Sequence, residues 1–166
     1  MSDALVRPLA AGEEAEVARI TVAAYTAEGL LHGDDPYATE LADVGSRRRG
    51  AEVWVAELGG RVVGTVTWCP PGSTYREVST ADDQAEFRML AVDPAVQRRG
   101  VARALVDACL DRARLDGACE VVLCSLPQMD AAHGLYRRLG FVRAPELDWW
   151  PRESLVLWAF RLMLRP

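Results

Sequence analysis

Arginine, glycine and alanine crowd one short stretch of this 166-residue chain, and that stretch carries its most legible chemistry. Asp93-Pro94-Ala95-Val96-Gln97-Arg98-Arg99-Gly100-Val101-Ala102-Arg103 follows an apolar run and leads into an amphipathic one. Asp93-Pro94 breaks a strand, and a short loop opens a helix with Gly100 and Ala102 in its first turn. The first N–H groups of a helix lack internal partners and carry partial positive charge. Small residues let a ligand approach them closely, and Arg98, Arg99 and Arg103 add formal charge around them. The combination is an anion site suited to a pyrophosphate. It is not a P-loop, because the required Lys is missing, nor a dinucleotide fingerprint, because GxGxxG is absent.

The missing residue types narrow the chemistry further. All 19 basic residues are Arg, and the chain has neither Lys nor Asn. Schiff-base or amine catalysis by lysine is excluded, as is an asparagine oxyanion donor or Mg²⁺ ligand. Cys69, Cys109, Cys119 and Cys124 show no CxxC spacing, and neither His32 nor His133 stands at ligand spacing to them, so no metal site is expected. A net charge of −5 with no long basic stretch argues against nucleic-acid binding. The triplet Arg47-Arg48-Arg49 reads as a solvated helix end. The C-terminal apolar run is far shorter than the ~20 residues of a membrane span. The N-terminus lacks a signal-peptide pattern, so the thiols are expected to be reduced and the protein cytoplasmic.

The elements that must position the anion loop follow from periodicity. Residues 4–8 read as a strand, 13–28 as a helix with Val17, Ile20 and Ala24 in its apolar stripe, and 37–48 as one further helix. Period-two alternation around Gly59-Gly60 predicts a hairpin. Residues 73–84 read as a polar, mobile connection, 85–92 as the fourth strand and 98–115 as the helix behind the anion loop. The run 121–124 predicts a strand buried on both faces. A helix over 129–139 ends at Gly140, with Phe141 as its capping contact. Two more strands are expected near 141–145 and 154–163. Strand, helix, strand over 85–124 makes a parallel crossover. The fold class is therefore α/β (α+β mixed): a single domain, 1–166, with a mixed, mostly antiparallel sheet of about seven strands and helices on both faces.

Gln97-Arg98-Arg99-Gly100-Val101-Ala102 resembles the Gln/Arg-x-x-Gly-x-Gly/Ala motif of the GNAT superfamily of acyl-CoA-dependent N-acyltransferases. A second family-like stretch, Leu135-Tyr136-Arg137-Arg138-Leu139-Gly140-Phe141, follows about thirty residues later, and the order of elements extends the resemblance over nearly the whole chain. The resemblance implies an acetyl-CoA-dependent N-acetyltransferase in which an amine of a small molecule or peptide attacks the thioester directly. The alternative is a GNAT-fold module that binds acyl-CoA as a sensor without turnover.

The family pattern assigns roles to positions of this sequence. Backbone N–H groups from Arg98 to Arg103, with Gln97 at the head of the motif, would hold the cofactor pyrophosphate, through Arg99, Gly100, Val101 and Ala102. Leu90, Ala91 and Val92 would pair with the pantetheine arm where the fourth and fifth strands splay apart, often at a bulge. An N–H near Leu90 or Ala91 would polarise the thioester carbonyl. Tyr136 takes the general-acid position; a phenol of pKa ~10 can protonate a thiolate of ~8.5. Glu86 is the candidate base, which needs burial or a water relay because a carboxylate of ~4.3 is weak toward an ammonium. Many members carry Asn where this chain has Met129, so that contact is either lost or supplied otherwise, with Ser125 and Gln128 as the candidates. His133 reads as a partly exposed helix residue. Acceptor loops in the family correspond to 29–37 and to Trp149-Trp150, and the acids Asp34, Asp35, Asp82, Asp83 and Glu86 favour a cationic amine. The Trp-rich last strands are also a candidate homodimer edge.

Overall fold

The computed structural model describes residues 2–96 and 98–165. Eight strands and five α-helices form among them. Strand order is β1-β2-β3-β4-β5-β8-β6, with β7 added on β8. Contacts cluster into two units, residues 1–68 with 89–109, and residues 69–88 with 110–166.

In the first unit, β1 (Leu5–Pro8) pairs antiparallel with β2 (Glu52–Leu58), and β2 with β3 (Arg61–Cys69) across the Gly59-Gly60 turn. Helix α1 (Glu14–Ala27) buries Val17, Ile20, Thr21 and Tyr25, spaced for one face. Val17 joins Leu9, Val44, Val53 and Val55 in a small core. The single helix expected over 37–48 is two: α2 (Pro36–Ala42) and α3 (Val44–Gly50). Asp43 divides them. Its carboxylate accepts from the Ser46 N–H at 3.0 Å and the Ser46 hydroxyl at 2.7 Å, which caps a new helix instead of continuing the old one. The arginine triplet also differs from expectation. Arg48 pairs with Glu14 at 2.6 Å, but Arg47 is wholly buried and donates to the Leu41 carbonyl at 2.6 Å and the Thr67 hydroxyl at 3.3 Å.

The helix behind the anion loop, α4 (Val101–Leu115), begins three residues later than the sequence suggests. Pro94–Val96 forms a 3-10 turn, and Arg98 and Gly100 take left-handed backbone with φ of 61° and 72°. That conformation cannot continue a right-handed helix. The start of α4 lies close on β3. A Cβ added at Gly64 would come within 2.9 Å of Val101 Cγ1 and 3.2 Å of the Ala91 carbonyl oxygen.

The second unit takes in β4 (Gln84–Val92) only through Arg88, and there the strand runs parallel beside β5 (Glu120–Ser125). Their ladder joins Gln84–Glu86 to Glu120–Val122, and β4 runs six residues past it. β5 pairs antiparallel with β8 (Leu155–Met163), which also holds β6 (Val142–Arg143) and β7 (Trp149–Arg152). The sheet has eight strands where about seven were expected. β7 is the addition, and Pro151 hides it from a strand pattern because proline removes a ladder donor. β6 is shorter than the expected 141–145 because Pro145 begins a 3-10 turn. Arg143 grips Asp148 through two hydrogen bonds of 2.7 and 2.8 Å, and the Ala159 N–H adds a third at 2.7 Å, which fixes the entry to β7. Helix α5 (Asp130–Arg138) completes the unit.

Two stability predictions follow from this packing. Gly64→Ala should lower the free energy of unfolding by about 1–3 kcal/mol, read by chemical denaturation, because the new methyl meets Val101 and backbone. Arg143 holds the Asp148 carboxyl below its ordinary pKa. A carboxyl depressed in the folded state contributes stability above its unfolded pKa of ~3.9 and loses it as pH falls through the folded value. Asp148→Asn should therefore lower Tm at pH 7, and the gap to wild type should narrow steadily below about pH 4.

Candidate active site

The anion loop is anchored at its entry. The Asp93 N–H donates to the Val63 carbonyl at 2.8 Å, and the Asp93 carboxylate accepts from the Ala95 N–H at 3.0 Å and Arg19 at 2.8 Å. Arg19 holds that carboxyl below its usual range. Beyond the 3-10 turn the chain reverses at Arg98 and Gly100, and the Ala104 N–H closes the first turn of α4 on the Gly100 carbonyl at 3.0 Å. The N–H groups ahead of Ala104 precede that first closing bond. A cleft of about 750 Å³ opens there, lined by Ser2, Leu58, Arg98, Arg99, Gly100 and Arg103 among others. Gly100 is required on two grounds: its φ of 72°, and Ser2 Cβ only 3.2 Å from where its own Cβ would stand. Arg103 is half exposed and pairs at 3.3 Å with Asp107 one turn on, an exposed pairing that an incoming anion can displace. Helix-start amides, arginines and room to enter suit a pyrophosphate. Val101 and Ala102 stand in the first turn of α4, whereas Gln97 lies outside the described residues.

In β4, Ala91 is buried and Leu90 and Val92 are half-buried. Immediately before them Met89 takes φ of 55° inside the strand, a left-handed turn rarely adopted by a residue with a side chain. A bulge is expected where the fourth and fifth strands splay apart; the irregularity found in β4 is at Met89.

The second unit holds the proton-transfer candidates. Tyr136 is 4 % exposed on α5, with ring centroids 6.3 Å from Phe87, 5.7 Å from Phe141 and 5.8 Å from Phe160. The helix end fixes it from behind: the Gly140 N–H donates to the Arg137 carbonyl at 3.0 Å and the Phe141 N–H to the Tyr136 carbonyl at 2.9 Å. This is a Schellman cap, with Gly140 at φ 96°.

Glu86 is entirely buried on β4 and anchors the segment before that strand. Its carboxylate accepts from the N–H groups of Glu77, Val78 and Ser79 at 2.8, 3.1 and 2.8 Å, and from the Ser79 hydroxyl at 2.8 Å. Gln84 and Arg76 secure the rest of the segment, Gln84 from the Thr80 and Ala81 N–H groups, Arg76 on the carbonyls of Cys69, Pro70, Ala81 and Gln84. The connection expected to be mobile is instead densely hydrogen-bonded, without helix or strand.

Glu77 is brought by that anchoring into a polar cluster that sequence reasoning missed. It forms an ion pair with Arg88. It also accepts from the Cys124 thiol at 3.0 Å and the Trp149 indole N–H at 3.2 Å. Burial raises the Glu77 carboxyl above its ordinary range against the pull of Arg88, and burial pushes the Cys124 thiol up as well. Charged residues at 86 and 88 in an otherwise apolar strand were the available signal. The polar run around 77 has no periodicity to place it.

His133 is the clearest correction. It is 2 % exposed rather than partly exposed, stacked on Trp158 with centroids at 5.8 Å and tilted against Phe160 at 4.9 Å. Its Nε2 lies 3.2 Å from the Ser125 hydroxyl, which in turn lies 3.4 Å from Met129 Sδ. Burial, then Arg137, lowers the His133 pKa. Among the described residues, no three His, Cys, Asp or Glu side chains stand together as metal ligands, and no helix is long and apolar enough to cross a membrane.

Comparison with known proteins matches this geometry to a family. The sequence model of the acetyltransferase (GNAT) family matches residues 15–141. N-acetyltransferase 8 of Rattus norvegicus is 32% identical over 132 residues, which are 75% of this chain and 58% of that protein. N-acetylaspartate synthetase of Danio rerio is 34% identical over 113 residues, 66% of this chain and 37% of that protein. The chain thus spans about half the length, or less, of these relatives. Among solved structures, the paia N-acetyltransferase of Thermoplasma acidophilum in complex with coenzyme A superposes with a TM-score of 0.74 at 11% identity, covering 98% of this chain and 99% of that one. The structure of yncA from Salmonella typhimurium with its cofactor acetyl-CoA gives a TM-score of 0.68 at 24% identity, covering 99% and 96%. The structures agree in fold, and with a family model that spans most of its residues, the chain belongs to the GNAT acetyltransferase family.

Proposed function

We propose that this chain is an N-acetyltransferase that uses acetyl-CoA to acetylate an amine of a small molecule or peptide. The observation that carries the reading is the arginine-lined cleft at the start of α4, where Arg98 and Gly100 turn the backbone through left-handed conformations into the helix start. Bound acetyl-CoA supplies the thioester carbonyl. Arg98, Arg99 and Arg103 with the amides of Gly100, Val101 and Ala102 would hold its phosphates; Gln97 heads the same sequence motif. Leu90, Ala91 and Val92 would receive the pantetheine, and a backbone N–H near Leu90 or Ala91 would polarise the thioester carbonyl.

Tyr136 protonates the departing thiolate. Its place in a buried aromatic cluster holds the ring in one orientation, which preorganises the donor. Glu86 serves the base side of the reaction by fixing the segment 77–79. Since the rat and zebrafish relatives are named for N-acetyl transfer and for N-acetylaspartate synthesis, amino acids head the acceptor classes to test.

A thiol-release screen over L-aspartate and other amino acids, spermidine, an aminoglycoside and Ala-initiated peptides checks the reading. The expected outcome is amine-dependent release of CoA thiol with at least one class. Tyr136→Phe should lower kcat about 100-fold or more while the calorimetric Kd for CoA stays within about threefold. Full activity of Tyr136→Phe would remove the acid role. Binding of CoA without turnover of any amine would favour the sensor module.

A further inference from the structure

We infer that Glu77, rather than Glu86, is the carboxylate that accepts the proton of the acceptor amine. The inference rests on the acetyltransferase reading above and deepens its base side.

The placement comes from strand parity. The β4–β5 ladder ends at Glu86 opposite Val122. Two residues further on the same faces stand Arg88 and Cys124, and no ladder bond joins them. The Glu77 carboxylate fills that place, with Arg88 on one oxygen and the Cys124 thiol and Trp149 indole on the other. Phe87, between Glu86 and Arg88, points to the opposite face, and there the Tyr136 ring packs. The two proton-transfer groups therefore approach the opened strand pair from opposite faces, one from the Phe87 side and one from the Arg88 side.

Accessibility separates the two carboxylates. Glu86 has no exposed surface, whereas the Glu77 side chain keeps 14 % and its neighbour Arg88 10 %. Glu86 spends its oxygens on the 77–79 backbone, the Glu77 N–H included, so it is a positioning residue for Glu77. The groups facing Glu77 are Arg88 and Glu86 from β4, Cys124 from β5 and Trp149 from β7. Cys69, at the end of β3, with its thiol pushed up to about 12 by burial, Arg76 beside it, and Tyr75, whose ring centroid lies 5.9 Å from the Arg88 guanidinium, are the further titratable groups of this neighbourhood. Burial also raises Glu77 itself, which brings it nearer to the basicity an ammonium requires.

The proton balance closes. The acceptor ammonium gives one proton to Glu77 and becomes a free amine. Its nitrogen lone pair forms the C–N bond as the C–S bond breaks and its pair stays on sulfur. Tyr136 protonates that sulfur, and the phenolate recovers the proton lost from nitrogen as the amide forms. Glu77 returns its proton to water, so one amine and one thioester give one amide, one thiol and one proton.

The test compares wild type, Glu77→Gln, Glu77→Asp and Glu86→Gln with whichever amine of the panel above releases thiol. Glu77→Gln should lower kcat about 100-fold and abolish the acidic limb of the kcat/KM pH profile, with calorimetric CoA affinity within about threefold. Glu77→Asp should keep that limb at reduced kcat. Glu86→Gln should lower kcat yet retain the limb. An independent readout needs no acceptor: tryptophan fluorescence of wild type should show a titration step above the ordinary carboxylate pKa of ~4.3, absent in both Glu77→Gln and Trp149→Phe. A Glu77→Gln enzyme with near-wild-type kcat and an intact acidic limb overturns the inference alone. If Glu77→Gln does not fold, an unchanged kcat in Glu77→Asp overturns it equally. A wild type inert toward every amine overturns the acetyltransferase reading, and the inference with it.

Discussion

Three backbone N–H groups converging on one buried carboxylate hold the working part of the second unit together. Glu86 lies inside β4, where a charge without partners would be prohibitively costly. The segment 77–79 supplies the partners, and in doing so it gives up any freedom to be an ordinary loop. Remove that carboxylate and the amides of 77–79 lose their acceptor, while Glu77, Arg88, Cys124 and Trp149 lose the scaffold that gathers them. A strand residue thus dictates the shape of a connection that has no regular structure of its own.

Arginine carries every cationic duty in this molecule, and its duties differ by burial. Arg98, Arg99 and Arg103 line an open cleft, where weakly held guanidinium groups can meet an anion. Arg143 and Arg161 clamp carboxylates with fixed forks, Asp148 in one case and Glu120 with Glu146 in the other. Arg47 sits in the core with no exposure, turned toward a carbonyl and a hydroxyl. A guanidinium keeps its charge in such a place because it does not deprotonate there, and its planar donors can serve several acceptors at once.

The sequence was most informative where local and tertiary demands coincide. Gly100 and Gly140 mark turns that need left-handed backbone, and both the anion loop and the cap behind Tyr136 were legible from them. The hairpin at Gly59-Gly60 and the double-faced strand β5 follow from period and turn chemistry in the same way. What stayed hidden depends on partners distant in sequence. Nothing near His133 signals that Trp158 and Phe160 cover it. The Glu77 cluster joins residues 77, 88, 124 and 149, whose meeting is fixed only once the sheet is assembled. Asp43 and Pro151 misled for a local reason: one caps a helix where a helix was to continue, the other stands in an edge strand that tolerates it.

Met89 meets two incompatible demands within its own strand. Its backbone asks for glycine, since left-handed conformation costs a residue with a side chain about 1–2 kcal/mol. Its side chain is 5 % exposed and fills core volume that glycine would leave empty. The two requirements cannot be met by one amino acid, so this position lies off the stability optimum whatever occupies it. A residue smaller or larger than Met89 would trade one of these demands against the other, so the bend in β4 is held at a standing cost in stability.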